Sequence, residues 1–162
     1  MSTIADYVGR TVDVLAFLDA DYEGLSSSKL TQELMTSGNG GYVATGIQKL
    51  AQRYLLELLT STGSMIYLPN RGSIFMTEAR QGFWKTAADV RQSFNVSELT
   101  VRSNLLAEEL PTDPADERYA GSTLDTISVS VDSVLIKITL TSQAGIKREL
   151  IAPITISPER TI

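Results

Sequence analysis

Carboxylates are the residues of this chain whose type and number could support catalysis. Hydrolysis of a glycosidic bond needs one carboxylic acid with a raised pKa and a second carboxylate about 5 to 9.5 Å away. Seven acidic residues are candidates: Glu57, Glu78, Glu108, Glu109, Asp113, Asp116 and Glu117. Most of them fall on expected polar helix faces or in a loop, where a solvated carboxylate is the ordinary state. We therefore expect no catalytic residue and no enzyme, with glycoside hydrolysis as the alternative.

The chain has 162 residues and contains neither histidine nor cysteine. Histidine is the commonest general base near neutral pH and the commonest zinc ligand, so serine triads and zinc hydrolases would lack their usual residue. The absence of cysteine removes disulfides, thiolate nucleophiles and thiolate metal sites. We expect no cofactor and no metal ion.

Composition indicates an ordinary globular chain that carries an acidic charge. Hydrophobic residues make up 43% of it, enough for one folded domain with a core. Nineteen acidic against fourteen basic residues give a formal charge of −5, which provides no field to attract a phosphate backbone. No apolar run approaches the ~20 residues that cross a bilayer, and the N-terminus does not resemble a signal peptide. Nucleic acid and membrane are therefore not expected partners.

A one-faced helix is the clearest element that the sequence predicts. Its apolar residues recur at the spacing that lines one side of a helix over residues 44–62. They are Ile47, Leu50, Ala51, Tyr54, Leu55, Leu58 and Leu59. Gly63 is expected to end it in the left-handed conformation, and Asn70 to Gly72 to form the next turn. Ser73 to Met76 is predicted to be extended.

Two further helices are predicted in the middle of the chain. The first covers residues 83–94, with Trp84 in the core, and is interrupted at Asn95. The second begins near Ser97 as its N-cap and ends before Pro111, because the residue before a proline avoids helical geometry. Residues 111–122 are read as a loop.

Alternating apolar and polar residues predict two antiparallel strands in the last third of the chain, and a turn that contains glycine leads into a third. They cover residues 127–131, 134–140 and 146–154, with tight turns at Asp132-Ser133 and Gln143 to Gly145. The expected fold is α+β, with helices packed on a small antiparallel sheet formed by residues 123–156. Residues 44–162 form this domain. Residues 1–43 are an extension with a short strand at 11–18, a helical turn at Lys29 to Met35 and a flexible loop.

The order of these elements resembles the small baseplate wedge proteins of contractile phage tails, the phage W or gene-25-like family. The matching features are the helix followed by Leu59-Thr60 and Gly63, the Pro69 to Gly72 turn and the helical stretch 83–110. Glu117-Arg118 stands where the family has Glu-Pro-Arg, although the proline is absent here, and residues 150–154, LIAPI, match the closing apolar-Pro-apolar segment.

This resemblance implies a structural role in the virion, in a tail baseplate assembled in the host cytoplasm. The implied partners are other baseplate wedge subunits and the tail sheath protein, whose assembly the chain would initiate by adding a strand to its sheet. A peptidoglycan-cleaving glycoside hydrolase is the alternative. The candidate interaction residues, taken from the turn, the Glu-Arg motif and the last strand, are Arg71, Glu117, Arg118, Lys147, Glu149 and Ile151.

Overall fold

The computed structural model of the protein describes residues 13–14 and 43–156, and it has the expected α+β architecture. Its elements in chain order are β1 (Asp13–Val14), β2 (Val43–Ala44), α1 (Gly46–Leu59), α2 (Phe75–Arg80), α3 (Ala87–Glu108), β3 (Tyr119–Val129), β4 (Ser133–Ser142) and β5 (Lys147–Thr155). β1 and β2 form a short antiparallel pair. The helical turn and flexible loop predicted before residue 43 lie outside the described residues.

The C-terminal residues form a three-stranded antiparallel sheet in the order β3-β4-β5. Its strands alternate, so that one face is buried and the other faces solvent. The buried face carries Val134, Ile136, Ile138, Leu140, Leu150, Ala152 and Ile154. α1 and α3 pack on this face and on each other, and the core lies between the helices and the sheet.

The apolar face predicted for α1 is confirmed, because its central residues Leu50, Tyr54 and Leu58 are fully buried. The helix ends at Leu59, three residues earlier than predicted, since Thr60 adopts an extended conformation. Gly63 does have a positive φ of 79°, but it lies in the following loop, where its N–H donates to the Pro69 carbonyl at 3.0 Å.

The middle of the chain differs from the prediction in two ways. Residues 75–80 form α2, whereas the sequence predicts an extended segment up to Met76. The Ser73 hydroxyl accepts from the Phe75 N–H at 3.2 Å and so stabilises the start of this helix. The break predicted at Asn95 is wrong, because α3 is one continuous helix that begins with a capping box between Thr86 and Asp89. Ser97 is buried inside α3 rather than capping a second helix.

Smaller corrections concern the ends of the elements. Trp84 is buried against Phe75, with ring centroids 4.4 Å apart, so the core role predicted for it is confirmed although it lies in the loop before α3. The predicted loop 111–122 is too long, because β3 already begins at Tyr119. Val131 belongs to the turn between β3 and β4 rather than to a strand, and it is almost fully exposed.

Candidate interaction site

A line of charged residues runs along α1 beside its apolar face. Lys49, Arg53 and Glu57 are spaced four residues apart, which places them one above another on a helix. Each pairs with a residue from another part of the chain: Lys49 with Glu117, Arg53 with Glu108, and Glu57 with Arg71. We call these six residues the α1 charge line. It joins α1 to the end of α3, to the loop before α2 and to the loop before β3.

Glu117 is held at the N-terminal end of this line. Its carboxylate accepts from the Lys49 ammonium at 3.0 Å and from the Gly46 N–H at 3.2 Å. The Gly46 N–H belongs to the first turn of α1, where main-chain donors lack partners within the helix. Glu117 is only 3% exposed, so the expectation of a solvated carboxylate is wrong for this residue. Through these two contacts Glu117 connects the start of α1 to the loop before β3.

Arg71 closes the other end of the line. Its guanidinium contacts the carboxylates of both Glu57 and Glu108. Glu57 is also buried, contrary to expectation, and accepts from the Gly72 N–H at 3.0 Å and from the Asn104 amide at 2.9 Å. The turn residue Arg71 therefore holds its loop against α1 and α3.

Gly72 allows this close approach of the loop to α1. Its φ is +88°, and a Cβ at this position would lie 2.4 Å from the Thr60 carbonyl oxygen. Any side chain would therefore be strained and would push the loop away from the helix end. The Ser73 N–H, next in the chain, donates to that same carbonyl at 2.8 Å.

The electrostatics of the α1 charge line do not resemble those of a glycosidase pair. Partial burial acts to raise the pKa of Glu108, but hydrogen bonds from Arg71 and Arg53 outweigh it, and the pKa lies below its ordinary value. A general acid for glycoside hydrolysis needs the opposite shift. The buried Glu57 shares the Arg71 guanidinium with Glu108, so this carboxylate is also neutralised by a cation.

Arg118 follows Glu117 at the end of the turn before β3. It is half-buried, and its carbonyl accepts from the Gln143 N–H at 2.9 Å, which ties the start of β3 to the β4–β5 turn. Its Nε is buried and has no hydrogen-bond partner among the described residues.

The second group of candidate residues lies on β5, whose main-chain groups point alternately toward β4 and away from it. The Ser142 N–H donates to the Ile146 carbonyl at 2.9 Å, and at the other end the Ile156 N–H donates to the Asp132 carbonyl at 2.9 Å. The pairing between these two bonds runs without a bulge. Even-numbered residues of β5 therefore bond to β4, and odd-numbered residues face outward. We call the outward main chain of residues 147, 149, 151, 153 and 155 the β5 edge.

The side chains at this edge lie on the solvent face of the sheet. Lys147 and Glu149 are exposed, and Ile151 is 43% exposed. The Glu149 carboxylate contacts the Lys137 ammonium of β4 at 2.9 Å, and this hydrogen bond raises the pKa of Lys137. Among the described residues no strand pairs with the outer side of β5. Within residues 13–14 and 43–156, the edge is thus a row of donors and acceptors without a strand partner, the kind of template to which another strand can add.

The structure also shows a feature that the sequence reading missed, an apolar stripe on the outside of α3. Val96, Leu99 and Leu106 are 43 to 65% exposed and are separated by three and seven residues, with the small Ser103 between the last two. This spacing follows the seven-residue repeat by which helices pack side by side. We call Val96, Leu99 and Leu106 the α3 outer stripe. They lie opposite the buried face of α3, which carries Val90, Phe94, Val101 and Leu105.

The six candidate residues therefore do not form one site. Arg71 and Glu117 belong to the α1 charge line and Arg118 to the start of β3, whereas Lys147, Glu149 and Ile151 lie together on β5. Within residues 13–14 and 43–156, no cluster of three or more acidic residues could hold a metal ion. In the same part of the chain no helix is long and apolar enough to cross a membrane.

Comparison of this chain with protein-family models, with curated proteins and with solved structures finds no match.

Proposed function

We propose that this protein is a structural subunit of the baseplate wedge of a contractile phage tail, and that it joins the wedge to the tail sheath. In this role it initiates sheath assembly by accepting a strand from the sheath protein at its sheet. The proposal combines the sequence resemblance with two surfaces of the fold, one suited to each partner.

The β5 edge is the observation that carries the sheath half of this proposal. Strand addition needs an exposed edge with unpaired main-chain groups, and β5 offers outward donors at Lys147, Glu149 and Ile151. The central strand β4 and the two helices hold this edge in place, so it is formed before a partner arrives. A strand that bonds to a preformed edge loses less conformational entropy than two strands that order together.

The α3 outer stripe supports the wedge half. Leu99 is 65% exposed, and leucines at this spacing on an otherwise complete domain are typical of a surface that packs against another helix. The neighbouring exposed residues Thr100, Ser103 and Ala107 are small, which lets a second helix approach closely. An amphipathic helix of another wedge subunit fits this surface.

The α1 charge line favours this structural role over a peptidoglycan-cleaving hydrolase. Its buried carboxylates, Glu57 and Glu117, both accept from cations and from main-chain N–H groups. Both carboxylates therefore hold parts of the fold together, whereas a hydrolase needs two carboxyl groups that flank the scissile bond of a substrate.

The proposal can be tested by complementing baseplates that lack the chain and counting the attached sheaths by electron microscopy. Leu99→Glu places a charge in the α3 outer stripe, and we expect it to remove the chain from baseplates, as measured by mass spectrometry. Arg91→Glu also adds an acidic residue to the exposed side of α3, but away from the stripe, and we expect normal incorporation. Sheath assembly that proceeds on baseplates without the chain would overturn the proposal.

A further inference from the structure

Pro153 stands inside β5, in a strand that otherwise consists of residues with a main-chain donor. It lies opposite Leu135 in the register, one position from the hydrogen-bonded pair of Ile154 and Val134. Pro153 is odd-numbered, so its nitrogen faces outward, away from β4. The β4–β5 ladder therefore loses no bond at this proline, which agrees with the restriction of proline to edge strands. The donor that is missing belongs to the β5 edge.

We propose that Pro153 determines which strands this edge accepts. It divides the edge into an open segment, with donors at 147, 149 and 151, and an isolated donor at 155. The open segment takes an extended segment of a different protein, and Pro153 removes two bonds from the twofold pairing centred on Ile151 that would join the edge to a second copy of this chain. The identity of the incoming strand as a sheath strand rests on the proposed function, whereas the block to self-pairing does not.

The geometry of self-pairing shows why the proline is effective. Two β5 edges related by a twofold axis pair antiparallel, and centring the pair on Ile151 brings the most apolar outward side chains together. Pro153 of one copy then faces Glu149 of the other and cannot donate to its carbonyl. The twofold axis repeats this loss, so two carbonyls near the centre of the interface are left without a partner. A register centred on Glu149 leaves Pro153 outside the pairing, but it places the two Glu149 carboxylates directly opposite each other, which is destabilising. Proline at an edge is a recognised protection against association in the remaining register.

A strand from another protein avoids the proline by ending its pairing at Ile151. Such a strand needs about five residues to bond with the outward groups from Lys147 to Ile151. The side chains beside it on the solvent face define its chemistry, because residues directly opposite on neighbouring strands interact. An acidic residue opposite Lys147 and an apolar residue opposite Ile151 complement this surface.

The block to self-pairing is tested on the isolated chain by replacing the proline. Pro153→Val restores an outward N–H without touching the β4–β5 ladder, and we expect an association constant at least tenfold higher than that of the unchanged protein, measured by sedimentation equilibrium. Pro153→Val/Ile151→Pro keeps the new valine but removes a neighbouring donor and should return to the unchanged value. Pro153→Val/Ile151→Thr keeps both donors and should still associate. A Pro153→Val chain that associates no more than the unchanged protein would overturn the block.

The limit on the incoming strand is tested by sheath assembly on baseplates that carry proline variants. Glu149→Pro and Ile151→Pro remove outward donors within the open segment and should reduce sheath attachment at least tenfold. Thr155→Pro removes the outward donor beyond Pro153 and should leave attachment unchanged. Circular dichroism shows whether each variant is folded. Arg148→Pro removes a donor to β4 and provides the reference spectrum of a chain whose sheet is disrupted.

The two experiments separate the inference from the proposed function. Normal attachment with both Glu149→Pro and Ile151→Pro refutes pairing along this segment, and loss of attachment with Thr155→Pro refutes the boundary at Pro153. If sheaths form on baseplates that lack the chain, the proposed function is wrong. The self-association of Pro153→Val then still decides whether the proline limits pairing between two copies.

Discussion

Replacement of Glu117 by glutamine tests whether the contacts of this residue with α1 stabilise the fold. The change keeps the size of the side chain and one acceptor oxygen but removes the charge that faces Lys49 at 3.0 Å. Hydrogen bonds to charged groups contribute about 1.5 to 3 kcal/mol. The Lys49 side chain is 15% exposed and keeps some hydration, which places the expected loss in the lower part of this range.

We therefore expect Glu117→Gln to lower the free energy of unfolding by about 2 kcal/mol, or the Tm by roughly 4 to 8 °C for a chain of this size. Urea unfolding followed by circular dichroism measures it. Glu149→Gln is the matched control, because its ion pair with Lys137 has nearly the same length, 2.9 Å, but a 62% exposed carboxylate. Solvent screens such a pair, so we expect Glu149→Gln to change the free energy of unfolding only a little. Equal effects of the two substitutions would refute the reasoning, since burial would then not be the cause.

Three further predictions concern the core, the alkaline limit of stability and catalysis. Leu58→Ala should lower the free energy of unfolding by about 2 to 5 kcal/mol because Leu58 is fully buried, whereas Leu99→Ala, on the exposed stripe, should change it by less than about 0.5 kcal/mol in the isolated chain; urea unfolding compares them. Burial raises the pKa of the Tyr54 phenol, so its stabilising contribution is present below the ordinary tyrosine pKa of about 10 and is lost as the pH rises further. Tyr54→Phe should flatten that loss in unfolding curves measured above pH 10. Finally, we expect no release of glycan from peptidoglycan, and turnover that disappears in Glu57→Gln would contradict the structural role.

The sequence predicted the elements whose periodicity is strong. α1 has seven apolar residues on one side and β4 alternates, so the type and the packing of both elements could be predicted directly. β5 alternates only weakly and was predicted from the glycine-containing turn before it. α2 was missed because six residues are too few to show a helical period. α3 was divided at Asn95 because its two apolar faces blur the expected one-sided pattern, although asparagine alone only slightly weakens a helix.

The candidate site was predicted only in part, because ion pairs between distant residues follow from the fold. Glu117 lies 68 residues from Lys49, and no local pattern shows that they meet. One signal was present, since Lys49, Arg53 and Glu57 recur every four residues and form a continuous charged row on a helix with little exposed surface. The α3 outer stripe had a signal of its own in the three- and seven-residue spacing of Val96, Leu99 and Leu106. The direction of the β5 main chain could not be known without the register.

Hydrogen exchange of single β5 amides is the most direct test of strand addition at this edge. In the free protein, the amides of Glu149 and Ile151 face outward and should exchange rapidly, while those of Arg148 and Leu150 bond to β4 and should be protected. In baseplates with attached sheath, we expect Glu149 and Ile151 to become protected as well. Rapid exchange of both amides in the assembled particle would contradict the account, because no strand would then be bonded to β5.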